Sequence, residues 1–209
     1  MYIVLAGEEG GPKSNKMGGI WEVIEAEAST LASLIAAGEI PEDTNILIMG
    51  PYYPRRGTDW NAGLNRVTDT GGLETLNLEE KLVKVKAGLE KRGIRMETAA
   101  RHVDGVRIGY ILFDSNRCPC DAIKKEAYEL AGLDSLSYEK TWYGREYSHY
   151  LALSYCILEF VKILSSHAKV SLHCHEFGVF YAGARLDRLR VPVKTVATLH
   201  ATKVGRMYG

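Results

Sequence analysis

The chain has 209 residues and a mass of 23.2 kDa, enough for one domain with room for a small second one. Apolar residues make up 46%, so a sizeable core can be buried and a disordered chain is excluded. Lysine plus arginine (26) balance aspartate plus glutamate (26), which removes any global pull on nucleic acid or an acidic membrane surface and leaves anion binding to local sites.

The first residues, Met1 to Ala6, carry neither a basic segment nor a long apolar one, so no secretory signal is expected. No apolar run approaches the roughly 18 residues of a membrane span. Four cysteines do not make a disulfide scaffold, and reduced thiols in a cytoplasmic protein are the simplest expectation.

In chain order, Tyr2 to Ala6 is a short β-rich apolar run, expected to be a buried strand. A glycine-rich loop follows up to Gly18-Gly19. Ile20, Val23, Ile24, Leu31, Leu34 and Ile35 then recur at helical spacing, with Gly38 and Pro41 as stop signals. Asn45 to Met49 is the next strand, stopped by Gly50-Pro51. Residues 52–76 lack periodicity and are expected to be a long loop. Residues 78–92 have the pattern of a charged surface helix ended by Gly93. Ile94 to Arg101 and Val106 to Phe113 flank Asp104-Gly105, a hairpin turn signal. Helices are expected near 121–131 and 145–165, the second apolar almost all round and therefore buried. Val170 to Leu172 is a strand, 177–189 a helix, and Val193 to Leu199 a last strand.

This alternation implies an α/β fold: a Rossmann-like open, mostly parallel sheet with helices on both faces and a β-hairpin near residues 94–113. The chain stops at Gly209 just after a strand, without a closing helix, which reads as the edge of a piece of a longer protein.

Three motifs carry chemistry. The loop before the first helix places Lys16, Gly18 and Gly19 at a helix start, where close backbone approach and the helix dipole favour a phosphate. The same loop mimics a Walker A motif, with Pro12 where the second glycine is required. Proline has no N–H to offer a phosphate, so that reading is rejected.

His173-Cys174-His175-Glu176 lies at a strand end, where His173 and His175 share one face. Two imidazoles on one face could bind zinc, but Cys118-Pro119-Cys120 is the only other ligand cluster and its spacing does not suit a structural site. No metal and no cofactor is therefore expected.

Thr198 to Arg206 empties a strand into a loop bearing His200 and Arg206, a candidate clamp for phosphate or sugar oxygens. Tyr52, Tyr53, Trp60, Trp142, Tyr143 and Tyr147 could stack on sugar rings, although most aromatics in such a domain are core.

Taken together, the motifs have a familiar order. Asn15-Lys16-Met17-Gly18-Gly19-Ile20 resembles the Lys-x-Gly-Gly loop of glycogen synthases. His173-Cys174-His175-Glu176-Phe177 resembles their His-x-His-Glu-Trp segment, with phenylalanine in place of tryptophan. Thr198-Leu199-His200-Ala201-Thr202-Lys203-Val204-Gly205-Arg206 resembles their Thr-x-His-Ala-Thr-x-x-Gly-Arg segment, the most specific of the three. Gly50-Pro51-Tyr52 and Leu112-Phe113-Asp114 fit the same family, in its animal, fungal and archaeal branch.

The resemblance implies that residues 1–209 are the N-terminal Rossmann-like domain of a two-domain, glycosyltransferase-B arrangement. It also implies transfer of glucose from a nucleotide-glucose donor (UDP- or ADP-glucose) to the non-reducing end of an α-1,4-glucan acceptor, with retention and without a metal. Lys16 would contact the donor diphosphate, with Gly18 and Gly19 allowing close approach. His175 would sit against the transferred glucose, its main-chain carbonyl near the anomeric centre. His200 and Arg206 would bind glucose or phosphate oxygens.

The family's C-terminal domain, which supplies most nucleotide contacts, would be a necessary partner, and the isolated piece is expected to be inactive. No nucleic-acid or membrane partner is expected, and self-association into a homo-oligomer is compatible with the sequence. Three other readings remain open: another nucleotide-sugar glycosyltransferase of the same architecture, such as a sucrose-type synthase; a glucan-binding module without catalysis; and a zinc hydrolase built on His173 and His175.

Overall fold

The computed structural model describes residues 1–8, 19–52, 79–114, 120–132 and 144–200. Six strands form one sheet: β1 (Tyr2–Gly7), β2 (Asn45–Pro51), β3 (Arg95–Val103), β4 (Val106–Asp114), β5 (Val170–His175) and β6 (Val193–Thr198), in the order β3-β4-β2-β1-β5-β6. All neighbours are parallel except β3 and β4. Five α-helices accompany them among the described residues: α1 (Ile20–Ala36), α2 (Glu80–Glu90), α3 (Cys120–Ala131), α4 (Gly144–Ser165) and α5 (Phe180–Arg188), the last preceded by a 3-10 turn, Phe177–Val179. The expected open, mostly parallel sheet with helices on both faces is the observed one.

The two-residue period of the strands divides the core. Leu5, Ile46, Ile48, Ile108 and Tyr110 face α1, which covers them with Ile20, Ile24, Ala28, Ala32 and Ile35. Val4, Ala6, Met49, Phe113, Leu172 and Cys174 face the other way, under α2, α3, α4 and α5. Each large side chain so buried contributes about 1.5–3 kcal/mol. Helix α4 also touches α2, α3 and α5, which explains why its sequence is apolar almost all round. The hairpin turn has positive φ at both Asp104 (51°) and Gly105 (80°), the backbone that a two-residue turn between twisted strands demands.

Three elements differ from expectation. Strand β2 continues through Gly50 and Pro51. The N–H of Asn45 bonds back to Met1 beside β1, whereas that of Tyr52 bonds to Phe113 in β4. By alternation the nitrogen of Pro51 points to the β1 side, and pairing with β1 has ended at Met49, so no ladder bond is lost. Strand β5 runs on to His175 because β1 and β6 pair with it on both sides. The helix expected at 177–189 is a 3-10 turn followed by α5. Most of the expected 52–76 loop lies outside the described residues.

Topology selects one edge of the sheet. The chain leaves β1 for β2 on one side, and later returns from β4 to β5 on the other. The carboxyl ends of β1 and β5 therefore flank the switch point, where open α/β sheets bind ligands. Gly7 and His175 are register partners at that edge.

Candidate functional site

The switch-point rim is built from the ends of β1, β5 and β6 and one side of α1. His175, the last residue of β5, is buried (1% exposed), and so is Glu176 after it. Glu176 adopts φ of +71°, a left-handed backbone that costs a residue with a side chain about 1–2 kcal/mol. Its main-chain N–H donates to Thr198 O at 2.9 Å, and its carboxylate Oε2 accepts the His200 N–H at 3.2 Å. These two bonds tie the end of β6 to the end of β5 and hold the reversed backbone in place.

Next to this turn, Gly178 passes close to Glu8 and α4. A Cβ at position 178 would lie 3.0 Å from Glu8 Cβ and 3.1 Å from the Tyr150 ring, so the approach requires glycine.

His173 and His175 point to the α1 side, as their alternation requires, with ring centroids 4.0 Å apart. Both meet Glu27 of α1: His173 Nδ1 lies 2.8 Å from Oε1, and His175 Nε2 lies 3.1 Å from Oε2. The second contact has ion-pair distance without hydrogen-bond alignment, and the buried Nε2 has no aligned partner among the described residues. The far ring nitrogens are also engaged. His173 Nε2 sits 2.8 Å from Thr198 Oγ1, and His175 Nδ1 sits 3.0 Å from His200 Nε2, the two rings lying parallel and edge to edge. Burial acts to raise the pKa of Glu27, but the close His175 and His173 imidazoles outweigh it and hold the carboxyl below its ordinary value. Glu27 is thus an anion at neutral pH, in contact with two imidazoles.

Of the residues singled out in the sequence, the structure brings together His175 and His200, and it places Gly19 at the start of α1. The carboxyl edge of a parallel sheet is where each following helix begins, so Gly19 belongs to the same rim. Lys16, Gly18 and Arg206 lie outside the described residues, as do Tyr53, Trp60, Trp142 and Tyr143. Tyr52 is buried. Cys174 faces the α4–α5 layer, and burial pushes its thiol up to about 12, which makes it an inert core group.

Sequence reasoning missed Glu27. On α1 it precedes the buried Ala28 by one position, at one shoulder of the apolar stripe. That spacing marks a shoulder position, but only the strand order shows that β5 and β6 lie beneath that shoulder.

No protein-family model matches the chain, and no curated protein does. Among solved structures there is a distant likeness to α,α-trehalose 6-phosphate synthase from Burkholderia multivorans. It covers 95% of this chain and 32% of that chain, at 12% identity and a TM-score of 0.33. The chain thus spans about a third of the length of that protein. A likeness of this size assigns no family. Among the described residues no helix is long and apolar enough to cross a membrane.

Proposed function

We propose that this domain is one half of a two-domain, retaining nucleotide-sugar glycosyltransferase, and that its reaction is glucosyl transfer to an α-1,4-glucan, as in glycogen synthases. One observation carries the reading. The two motifs that resemble that family, residues 173–177 and 198–206, each bring a histidine to the switch-point rim, with His175 Nδ1 and His200 Nε2 3.0 Å apart. Twenty-five residues separate them in sequence, and the family likeness requires them to serve one pocket. The broader part of the reading, a nucleotide-sugar glycosyltransferase, needs only the rim and the glycine-rich loop. The glucan acceptor rests on the Thr198–Arg206 pattern.

In this reading the main-chain carbonyl of His175 faces the anomeric carbon as positive charge develops there. A carbonyl dipole at that point stabilises an oxocarbenium-like state without changing its own protonation. Lys16 and the Gly19 start of α1 neutralise the departing diphosphate, Gly18 allows its close approach, and His200 and Arg206 hold sugar or phosphate oxygens. The side chain of His175, turned away toward Glu27, fixes the carbonyl rather than touching the sugar. A second Rossmann-like domain closes over the rim, excludes water and adds the remaining charge on the diphosphate. This 209-residue chain alone is expected to fold and not to turn over.

The test is an assay of the whole gene product with UDP-glucose and ADP-glucose on glycogen, the anomer of the new linkage being read by NMR. Retained α-1,4 transfer supports the reading. Transfer to fructose in preference to glycogen moves it to a sucrose-type enzyme. Glycogen binding without consumption of either donor replaces it with a glucan-binding module.

A further inference from the structure

We propose that Glu27, His173 and His175 bind one divalent transition-metal ion, with Zn²⁺ the best fit to the donors. One carboxylate and two imidazole ligand atoms lie within 4.8 Å of one another, on α1 and β5. Two imidazoles and a carboxylate form a donor set that zinc takes at sites keeping a fourth position open. With bonds of about 2.0–2.2 Å, tetrahedral ligand atoms stand about 3.3–3.6 Å apart. The observed contacts, 2.8 Å to Oε1 and 3.1 Å to Oε2, fall on the two different carboxylate oxygens. Admitting the ion means opening each by roughly half an ångström while the His173 and His175 nitrogens, within 4.8 Å of the other ligand atoms, settle to the tetrahedral spacing.

A second, independent observation points the same way. His175 is almost wholly buried, and its Nε2 is aimed at Glu27 without an aligned hydrogen bond. An ion between them gives that nitrogen an aligned partner.

The outer contacts suit both states. Without metal, His173 Nδ1–H and His175 Nε2–H point at the carboxylate, while Thr198 Oγ1–H and His200 Nε2–H donate to the far ring nitrogens. With metal, both rings change tautomer: the near nitrogens present lone pairs, and His173 Nε2–H and His175 Nδ1–H donate to Thr198 Oγ1 and His200 Nε2. A hydroxyl and a neutral imidazole can each donate or accept, so neither state leaves a far nitrogen unpaired. Metal-binding histidines are commonly oriented by such contacts on the far nitrogen. The ion uses side chains alone, so the site does not rest on the transferase reading, which assigns the His175 carbonyl.

The experiment is competition for Zn²⁺ between the untagged, chelator-stripped chain and a chromogenic chelator, with Co²⁺ absorption as a report of coordination number. One equivalent is expected to bind, with the intense visible bands of four-coordinate Co²⁺. His173→Ala and Glu27→Ala should weaken Zn²⁺ binding by more than about 100-fold. Thr198→Val should cost about 10-fold by freeing the His173 ring. His102→Ala, on β3, should change nothing. Glu27→Gln keeps the size and the hydrogen-bonding reach of the side chain, so it separates lost ligation from lost folding, which circular dichroism monitors. The proposal is overturned if the folded chain takes up no zinc, or if His173→Ala and Glu27→Gln bind it as the parent does.

Discussion

Two glutamates two residues apart on α1 lead opposite lives. Glu25 and Glu27 sit on the two shoulders of the same buried stripe, one position after Ile24 and one before Ala28. The helical step turns Glu25 toward β3 and β4 and Glu27 toward β5 and β6. Glu25 enters a closed network. Tyr110 OH donates to its Oε1 at 2.7 Å, Arg101 reaches its Oε2 and also Ser29, and Arg101 Nε donates to Tyr110 OH at 2.6 Å. Its partners are a permanent cation and a phenol whose pKa burial pushes well above the ordinary value. Glu27 faces two imidazoles whose nitrogens can be donors or lone pairs, and one of them has no aligned partner among the described residues. A carboxylate closed by arginine holds a fold together. One left facing histidines at a sheet's carboxyl edge is free to hold something else.

The largest test of this contrast is alanine at each position. Glu25→Ala leaves the Arg101 charge and the Tyr110 hydroxyl without their acceptor, and should lower stability by about 3 kcal/mol. Glu27→Ala, at a partly exposed rim with no arginine left behind, should cost less than about 1 kcal/mol in chelator-treated protein. Urea denaturation of both variants decides it. Equal losses would make Glu27 another structural anchor and weaken the case for a site.

A hydroxyl pair sharpens the comparison at smaller scale. Tyr110→Phe strips Arg101 Nε and Glu25 Oε1 of one partner each in a partly buried setting, and should cost about 1–3 kcal/mol. Thr198→Val removes one hydrogen bond to His173 at the rim, and should cost about 0.5–1 kcal/mol. The same denaturation experiment ranks the two. A Thr198→Val loss as large as that of Tyr110→Phe would show that the rim network is as closed as the inner one.

The contrast also marks how far the sequence could be read. Strand and helix positions followed from apolar period, glycine stops and the Asp104-Gly105 turn, because those signals are local. The extension of β5 to His175 was hidden, since it comes from pairing with β1 and β6, which are distant in sequence. The face shared by His173 and His175 was legible from alternation alone. Their meeting with Glu27, 146 residues earlier than His173, was not. A helical wheel places Glu25 and Glu27 on opposite shoulders, but it cannot say which strands lie beneath each. That depends on the switch from β1 to β5, a property of the whole topology. The sequence alone offers the zinc reading no third ligand beside His173 and His175, because Glu27 comes from the helix that the sheet order brings over them.

The smallest expected effect is also the most discriminating, because the two glutamates should respond to pH with opposite signs. Burial raises the pKa of Glu25 more than Tyr110 and Arg101 lower it, so the folded state holds its proton more tightly than the unfolded chain does. Its contribution to stability is present below the ordinary carboxylate range and is lost as pH rises through the raised value. Glu27 is the reverse. Its pKa is depressed by His175 and His173, so its contribution is present above the ordinary range and is lost as pH falls through the lowered value. Urea denaturation of the parent, Glu25→Gln and Glu27→Gln, each kept metal-free with a chelator and measured between about pH 3 and 7, isolates the two terms. The parent-minus-variant difference should fall with pH for Glu25→Gln and rise with pH for Glu27→Gln. If both differences slope the same way, the two carboxylates share one kind of environment and the distinction between the inner network and the rim is wrong.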